Sequence, residues 1–218
     1  MEMKLIPHAT SVKILDAAEA SFAEHGFAAT SLRDITTKAG VNLASVNYHF
    51  GSKEALLASV LKRRFGPVNE ARLALLTQLE TDSAGDPTVE GLVHALLAPV
   101  FQQKREWDEQ GTKFLQLIGR LHGVPHTLVR SIMKTQFAEV FERFVPAFQR
   151  ALPHLETEEV VLRSFFMLSA LINTMTWSGD DMFGTGQPCD ADALLGALVQ
   201  FGVAGMAAPS RQTVEVSR

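Results

Sequence analysis

The sequence predicts an all-α protein, a small N-terminal domain of short helices followed by a larger helical body. Three observations carry this. Apolar residues recur at helical spacing along nearly the whole chain. No alternating Val/Ile/Thr run lies between turn residues, as a strand would need. Gly, Pro, Asn and Ser fall where helices of ordinary length should start and stop.

The first helix is expected over about 10–25, with Ile14, Leu15, Ala18 and Phe22 on one face, and it ends at Gly26. Ser31 and Asp34 have capping-box spacing for a second helix, which runs to about 38 and stops at Gly40. Asn42 caps a third over about 43–49. Gly51 turns the chain, and Ser52 caps a fourth from Lys53 to about Phe65, with Glu54 favourable in its first turn. Gly66-Pro67 reads as a break, so the domains are placed at 1–66 and 67–208, with a disordered tail over 209–218. Longer helices are expected at about 67–81, 87–103, 108–122, 125–151, 156–178 and 190–207. Asp86-Pro87, Gly123-Val124-Pro125 and the stretch 179–190 connect them, and Pro99 and Pro146 should kink or split theirs.

Composition narrows the class. Of 218 residues 46% are hydrophobic, enough for a sizeable core. No run of 18 uncharged apolar residues suggests a membrane span, and MEMKLIPHATSVK has no hydrophobic signal segment. The lone Cys189 excludes an intrachain disulfide framework, so a cytoplasmic protein is expected. The net charge of −4 is unevenly spread: residues 1–66 hold 8 Lys/Arg against 6 Asp/Glu, and the remainder 12 against 18. A mildly basic head on an acidic body permits phosphate contact at the head, because local charge decides that contact.

The stretch AGVNLASVNYHFGSKEAL, from Ala39 to Leu56, is the most informative. A helix that exists only to fill a core does not look like this short polar one. Two short helices joined at Lys38-Ala39-Gly40-Val41-Asn42 read as a helix-turn-helix, whose second helix enters the major groove of double-stranded DNA. Leu43, Ala44, Ser45, Asn47, Tyr48 and His49 suit that surface, since small residues admit the backbone and polar ones meet bases and phosphates. Val41, Val46 and Phe50 face inward, and Lys53 is placed to meet a phosphate. The alternative is a small capped helix within an all-α core.

The segment ILDAAEASFAEHGFAATSLRDITTKAGVNLASVNYHFGSKEALL resembles the DNA-binding domain of TetR-type transcriptional regulators over about 45 residues. The marks are ILDAA, Phe22 with Gly26-Phe27, TSLRDI at 30–35, AGV at 39–41, YHF at 48–50 and SKE with Leu56. The resemblance implies a repressor that binds a palindromic operator as a homodimer and is released by a small molecule. By position it maps DNA contacts to Thr30, Ser31, Arg33, Asn42, Ala44, Ser45, Asn47, Tyr48, His49 and Lys53. Many relatives have Gly, Thr and Tyr where Ala44, Ser45 and Asn47 stand here, so no operator sequence carries over. VNLASVNYHFGSKEALL and FFMLSALINTM also look like the fatty-acid-responsive regulators of the PsrA type, whose effectors are long-chain acyl compounds.

In the body, Phe137, Phe141, Phe144 and Phe148 form a helical stripe, and Phe114, Leu115, Leu117, Ile118 and Leu121 another apolar surface. With Phe101 and the adaptable Met133 and Met167, these either build an ordinary core or line a tunnel for a hydrophobic effector. Arg105, Arg120, His122 and Arg130 are either solvated or meet an anionic headgroup. The helix at 156–178 has an apolar arc too wide for one buried face, and that at 190–207 is rich in Gly and Ala. They are expected to build a four-helix dimer interface through Leu168, Leu171, Met175, Leu198 and Gly202, the alternative being burial inside one subunit. A multidrug- or aromatic-responsive repressor of efflux genes is the competing function.

Enzymatic and metal chemistry have little behind them. His122 and His126 have metal-ligand spacing, but Gly123 and Pro125 break the helix between them and no Cys or carboxylate completes a set. Gly184-Thr185-Gly186 lacks the strand and helix of a dinucleotide site, and Asp180-Asp181 reads as a solvated loop. No Ser or Cys nucleophile has an evident base. No cofactor is expected. A helical adaptor would account for the body but not for Ala39–Lys53.

Overall fold

The computed structural model describes residues 7–83, 86–106, 109–177 and 190–210, without the side chains at 7–8, 104–106, 109–110, 112, 122 and 177. Most of the expected 179–190 connection, including Asp180-Asp181, Gly184-Thr185-Gly186 and Cys189, therefore lies outside the described residues. So do the tail from 211 onward and the side chains of Arg105 and His122. All regular structure among the described residues is helical: α1 (Pro7–Ala29), α2 (Leu32–Ala39), α3 (Leu43–Phe50), α4 (Lys53–Asp82), α5 (Val89–Glu106), α6 (Glu109–Arg120), a 3-10 turn (Leu121–Gly123), α7 (His126–Ala151), α8 (Thr157–Trp177) and α9 (Ala191–Ala207).

Local signals set most of these limits. Gly26 interrupts α1 with φ 79° and ψ 164°, a conformation that a Cβ opposes, and one more turn follows it. Gly40 closes α2 in the left-handed region at φ 65°. At the start of α2 the capping box is complete. Asp34 accepts the Ser31 N–H at 2.9 Å, and Ser31 Oγ accepts the Asp34 N–H at 3.2 Å. Asn42 Oδ1 accepts the Ser45 N–H at 2.8 Å to start α3, and Ser52 Oγ accepts the Ala55 N–H at 3.1 Å to start α4.

Gly66-Pro67 is not a break. Helix α4 runs unbroken from Lys53 to Asp82 with Pro67 inside it, so the separate helices expected at 53–65 and 67–81 are one. Pro99 and Pro146 likewise lie within single helices. Proline removes one ladder bond but its own φ is helical, and burial on both sides of Pro67, at Phe65 and Val68, outweighs that loss.

The chain forms two compact units. The first joins Met1–Val68 to Lys104–Phe137, and so takes in more than the expected 1–66. Here α1 packs on α2, α3 and α6. Ile14, Ala18, Phe22, Ile35, Val46, Leu57 and Leu61 fill its core, while Leu15, Val41 and Phe50 are only half-buried. Buried Phe65, Phe114 and Phe137 meet with ring centroids 5.3–5.4 Å from Phe65.

The second unit joins Asn69–Gln103 to Ala138–Arg218. The fully buried Arg72 donates from Nε to the Leu96 carbonyl at 2.7 Å, one turn before Pro99, and from Nη1 to Asn69 Oδ1 at 2.8 Å. Glu80 of α4 accepts from Arg143 at 3.0 Å and Arg150 at 2.6 Å of α7. Helix α8 packs against α9, whose open C-terminal carbonyls one side chain collects. Arg163 donates to Gly205, Met206, Ala208 and Pro209 at 2.6–3.1 Å and to Glu159 at 2.6 Å. Ser210 donates to the other Glu159 oxygen at 2.7 Å. The tail expected to be disordered from 209 thus begins with two tethered residues.

Candidate nucleic-acid interface

The surface of α2 and α3 follows from how few of their side chains the core needs. Helix α3 buries only Val46, and α2 buries Ile35 and Thr36. Around Val46, Ala44, Asn47 and Tyr48 are exposed and Ser45 and His49 half-exposed. Tyr48 is 84% exposed, a large aromatic left uncovered by the described residues. Its ring meets His49 edge-on, centroids 5.1 Å apart. Arg33 is exposed in the first turn of α2. This arrangement leaves a short helix with its small and polar residues outward, between two capped helix N-termini whose N–H groups favour anions.

The expected DNA contacts do not all have free side chains. Ser31 Oγ donates to Asp34 at 2.7 Å and Asn42 Oδ1 accepts from Ser45 N and Oγ, so both residues build their helix starts. The Ser31 hydroxyl and backbone N–H hold the exposed Asp34 carboxyl below its ordinary range. Thr30 lies inward. Its side chain is buried, with Oγ1 donating to the carbonyls of Gly26 at 2.8 Å and Ser21 at 3.1 Å, because the chain leaving the Gly26 kink needs its carbonyls satisfied. Lys53 is engaged as well. Its Nζ donates to the Thr30 carbonyl at 2.7 Å and lies 4.4 Å from the centre of the Phe27 ring. It ties the start of α4 to the entry of α2, a pairing over 23 residues that no local pattern signals.

The expected effector residues divide between the units. Phe114, Leu117 and Phe137 are buried, Met133 half-buried and Arg120 exposed in the first. Phe101, Phe144 and Met167 are buried and Phe141 half-buried in the second. Arg130 is exposed. Phe65, which completes the aromatic cluster, was missed because the supposed break after it hid its helical neighbours.

The expected dimer residues lie mostly inside the chain. Leu168, Leu171 and Met175 are buried within the chain, and Leu198 is half-buried. Gly202 is packed so closely that a Cβ there would lie 2.8 Å from Met167 Sδ and 2.9 Å from Val93 Cγ1. The apolar side chains left outside on α8 and α9 are Val161, Phe165 (59% exposed), Phe166 (58%), Ile172 and Phe201 (65%). Both faces of α8 are apolar, so composition alone did not say which one the subunit keeps.

Comparison with known proteins matches residues 14–60 to the family described as bacterial regulatory proteins, tetR family. Residues 94–205 match the tetracyclin repressor-like C-terminal domain. The HTH-type transcriptional dual regulator CecR of Shigella flexneri is 37% identical over 79 residues, covering 33% of this chain and 35% of that protein. The HTH-type transcriptional regulator TtgR of Pseudomonas putida is 32% identical over 94 residues, 43% of this chain and 42% of that protein. The match thus spans about a third to two fifths of these curated relatives. Among solved structures, the fatty acid degradation regulator FadR from Bacillus halodurans superposes with a TM-score of 0.61 at 21% identity, over 93% of this chain and 98% of that one. A tetR-family regulatory protein from Rhodococcus RHA1 gives 0.60 at 16%, with the same coverage. At these identities the likeness shows the fold alone.

Proposed function

The chain belongs to the tetR family of bacterial regulatory proteins, a helix-turn-helix transcriptional regulator and not an enzyme, and on that premise we propose that it represses transcription as a homodimer on a palindromic operator until a hydrophobic effector releases it. One observation carries the DNA reading. Helix α3 is anchored by Val46 alone and turns Ala44, Asn47 and Tyr48 outward. Asn47 reads a base edge in the major groove; Tyr48, Arg33 and the N–H groups at the capped helix starts hold phosphates. The protein acts in the cytoplasm, where its DNA is.

The dimer forms through the outward face of α8 and α9. Three exposed phenylalanines and two β-branched residues there are supported by a scaffold already packed beneath them. The effector is a long-chain acyl compound, a fatty acid or its coenzyme A thioester. What supports it is the concentration of buried Phe residues in both units, with buried Met167, Met175 and Met206 in the second, and the resemblance of VNLASVNYHFGSKEALL and FFMLSALINTM to acyl-responsive regulators.

The deciding experiment is a gel-shift survey with DNA from beside the protein's own gene, in the presence of excess nonspecific DNA. A retarded palindromic fragment is expected. Failure of every flanking fragment to bind above nonspecific DNA would refute binding near its own promoter, and equal affinity for all DNA would refute operator recognition.

A further inference from the structure

Three consecutive residues of α4 point in three directions. Successive helical side chains are about 100° apart, so residues 63, 64 and 65 sweep more than half of the helix circumference. Arg63 and Arg64 both reach α1. Arg63 Nη1 donates to Asp16 at 2.6 Å and its Nη2 to Glu19 Oε2. Arg64 Nε donates to Glu19 Oε1 at 2.8 Å. Glu19 is 2% exposed. Its carboxylate therefore sits in the angle between two guanidinium groups, one on each oxygen. Phe65 turns the other way, into Phe114 of α6 and Phe137 of α7.

Two grips on one buried carboxylate fix more than a distance. If α4 turns about its axis or slides along α1, one arginine bond lengthens as the other is compressed. The cost is steep, because a buried carboxylate that loses a partner is left uncompensated. Packing alone would let α4 and α1 slip. The arrangement is also not what stability by itself would select: the Arg63 Nε is enclosed with no acceptor among the described residues. Helix α1 in turn packs on α2 and α3, which carry the DNA surface.

We propose that Glu19, held by Arg63 and Arg64, is a positioning residue that transmits the packing of the Phe65–Phe114–Phe137 cluster to α1 and so sets the pose of α2 and α3 on DNA. This rests on the DNA-binding reading above and needs no particular effector. When the cluster rearranges, Phe65 turns α4 and the latch obliges α1 to follow. Without the latch α4 turns against a stationary α1, and the DNA surface does not register the change.

A thermodynamic cycle tests it, using the full-length protein and the operator fragment from the gel-shift survey. Operator dissociation constants are measured for wild type, Glu19→Gln, Phe114→Leu and the double variant. Phe114→Leu is expected to weaken binding about fivefold in the wild-type background and to have almost no further effect in Glu19→Gln. A merely structural Glu19 would lower the unfolding midpoint and leave the two effects multiplicative, and that result overturns the proposal. The Arg63→Lys/Arg64→Lys variant keeps both charges and should retain most of the Phe114 effect; its loss there, as in Glu19→Gln, would also overturn it. If Glu19→Gln does not fold, Arg64→Met replaces it, with the same outcomes deciding. A wild type that shifts no fragment refutes the DNA-binding reading and this inference with it. A specific shift with a multiplicative cycle refutes the latch alone.

Discussion

At the scale of the residue, the structure separates Tyr48 from Lys53. From sequence both are phosphate contacts beside the recognition helix. The structure leaves Tyr48 almost wholly exposed and turns Lys53 inward to the Thr30 carbonyl and the Phe27 ring. Tyr48→Ala is therefore expected to weaken operator binding while the unfolding midpoint stays at the wild-type value. Asn47→Ala should relax preference at one base pair, at about 1–3 kcal/mol of discrimination, as read from a panel of operator point variants. Lys53→Met should instead destabilise the protein by about 1–2 kcal/mol in urea unfolding, because it removes a charged hydrogen bond and a cation–π contact. Its salt dependence of DNA binding should keep nearly the wild-type slope, whereas Arg33→Ala should reduce that slope by about one. A flattened slope for Lys53→Met at unchanged stability would return Lys53 to the phosphate-contact role.

At the scale of the element, α8 shows why an apolar helix is ambiguous until its neighbours are placed. It keeps Leu168, Leu171 and Met175 inside and leaves Phe165 and Phe166 out. Phe165→Ser combined with Phe201→Ser is expected to give a folded monomer, with helical circular dichroism intact and half the wild-type mass in sedimentation. Leu171→Glu should fail differently, by loss of folded protein, since it buries an unpaired charge. A folded monomer from Leu171→Glu would put the interface back on the inner face. The link between α4 and α7 adds a pH effect. Although its part-burial works to raise it, the bonds from Arg150 and Arg143 bring the Glu80 carboxyl below its ordinary range. A lowered folded pKa means stability that is present above about pH 4.3 and is lost as pH falls through the folded value. Glu80→Gln should thus cost stability at pH 7, and its gap to wild type should close below about pH 4 in urea melts.

For the whole molecule, the acyl reading makes a graded prediction. Each buried CH₂ is worth about 0.8 kcal/mol, so release from DNA should need less ligand as the chain lengthens, until the site is full. The ligand moves DNA binding only through unequal affinity for two arrangements of the protein. Titrating saturated and unsaturated fatty acids and their coenzyme A thioesters, with aromatic and cationic drug-like compounds alongside, reads this directly. Release by the drug-like compounds alone would make an efflux-type regulator the correct function. Spreading the two recognition helices away from the roughly 34–36 Å that separates successive major grooves is the motion expected on release.

The sequence by itself determined the helical class, most helix limits and the short capped helix α3. Those follow from neighbours three or four residues apart: Ser31 with Asp34, Asn42 with Ser45, Gly40 with Thr36 and Thr37. It also placed Val41, Val46 and Phe50 inward, of which the structure buries Val46 and leaves Val41 and Phe50 half-buried. Tertiary structure decided the rest. It carried α4 through Gly66-Pro67, since burial of Phe65 and Val68 outweighs one missing ladder bond. It drew residues 104–137 into the first compact unit, joined Glu19 to arginines 44 and 45 residues away, and chose which apolar face of α8 stays inside. Such choices depend on partners distant in sequence, and local periodicity is the same whichever partner is taken.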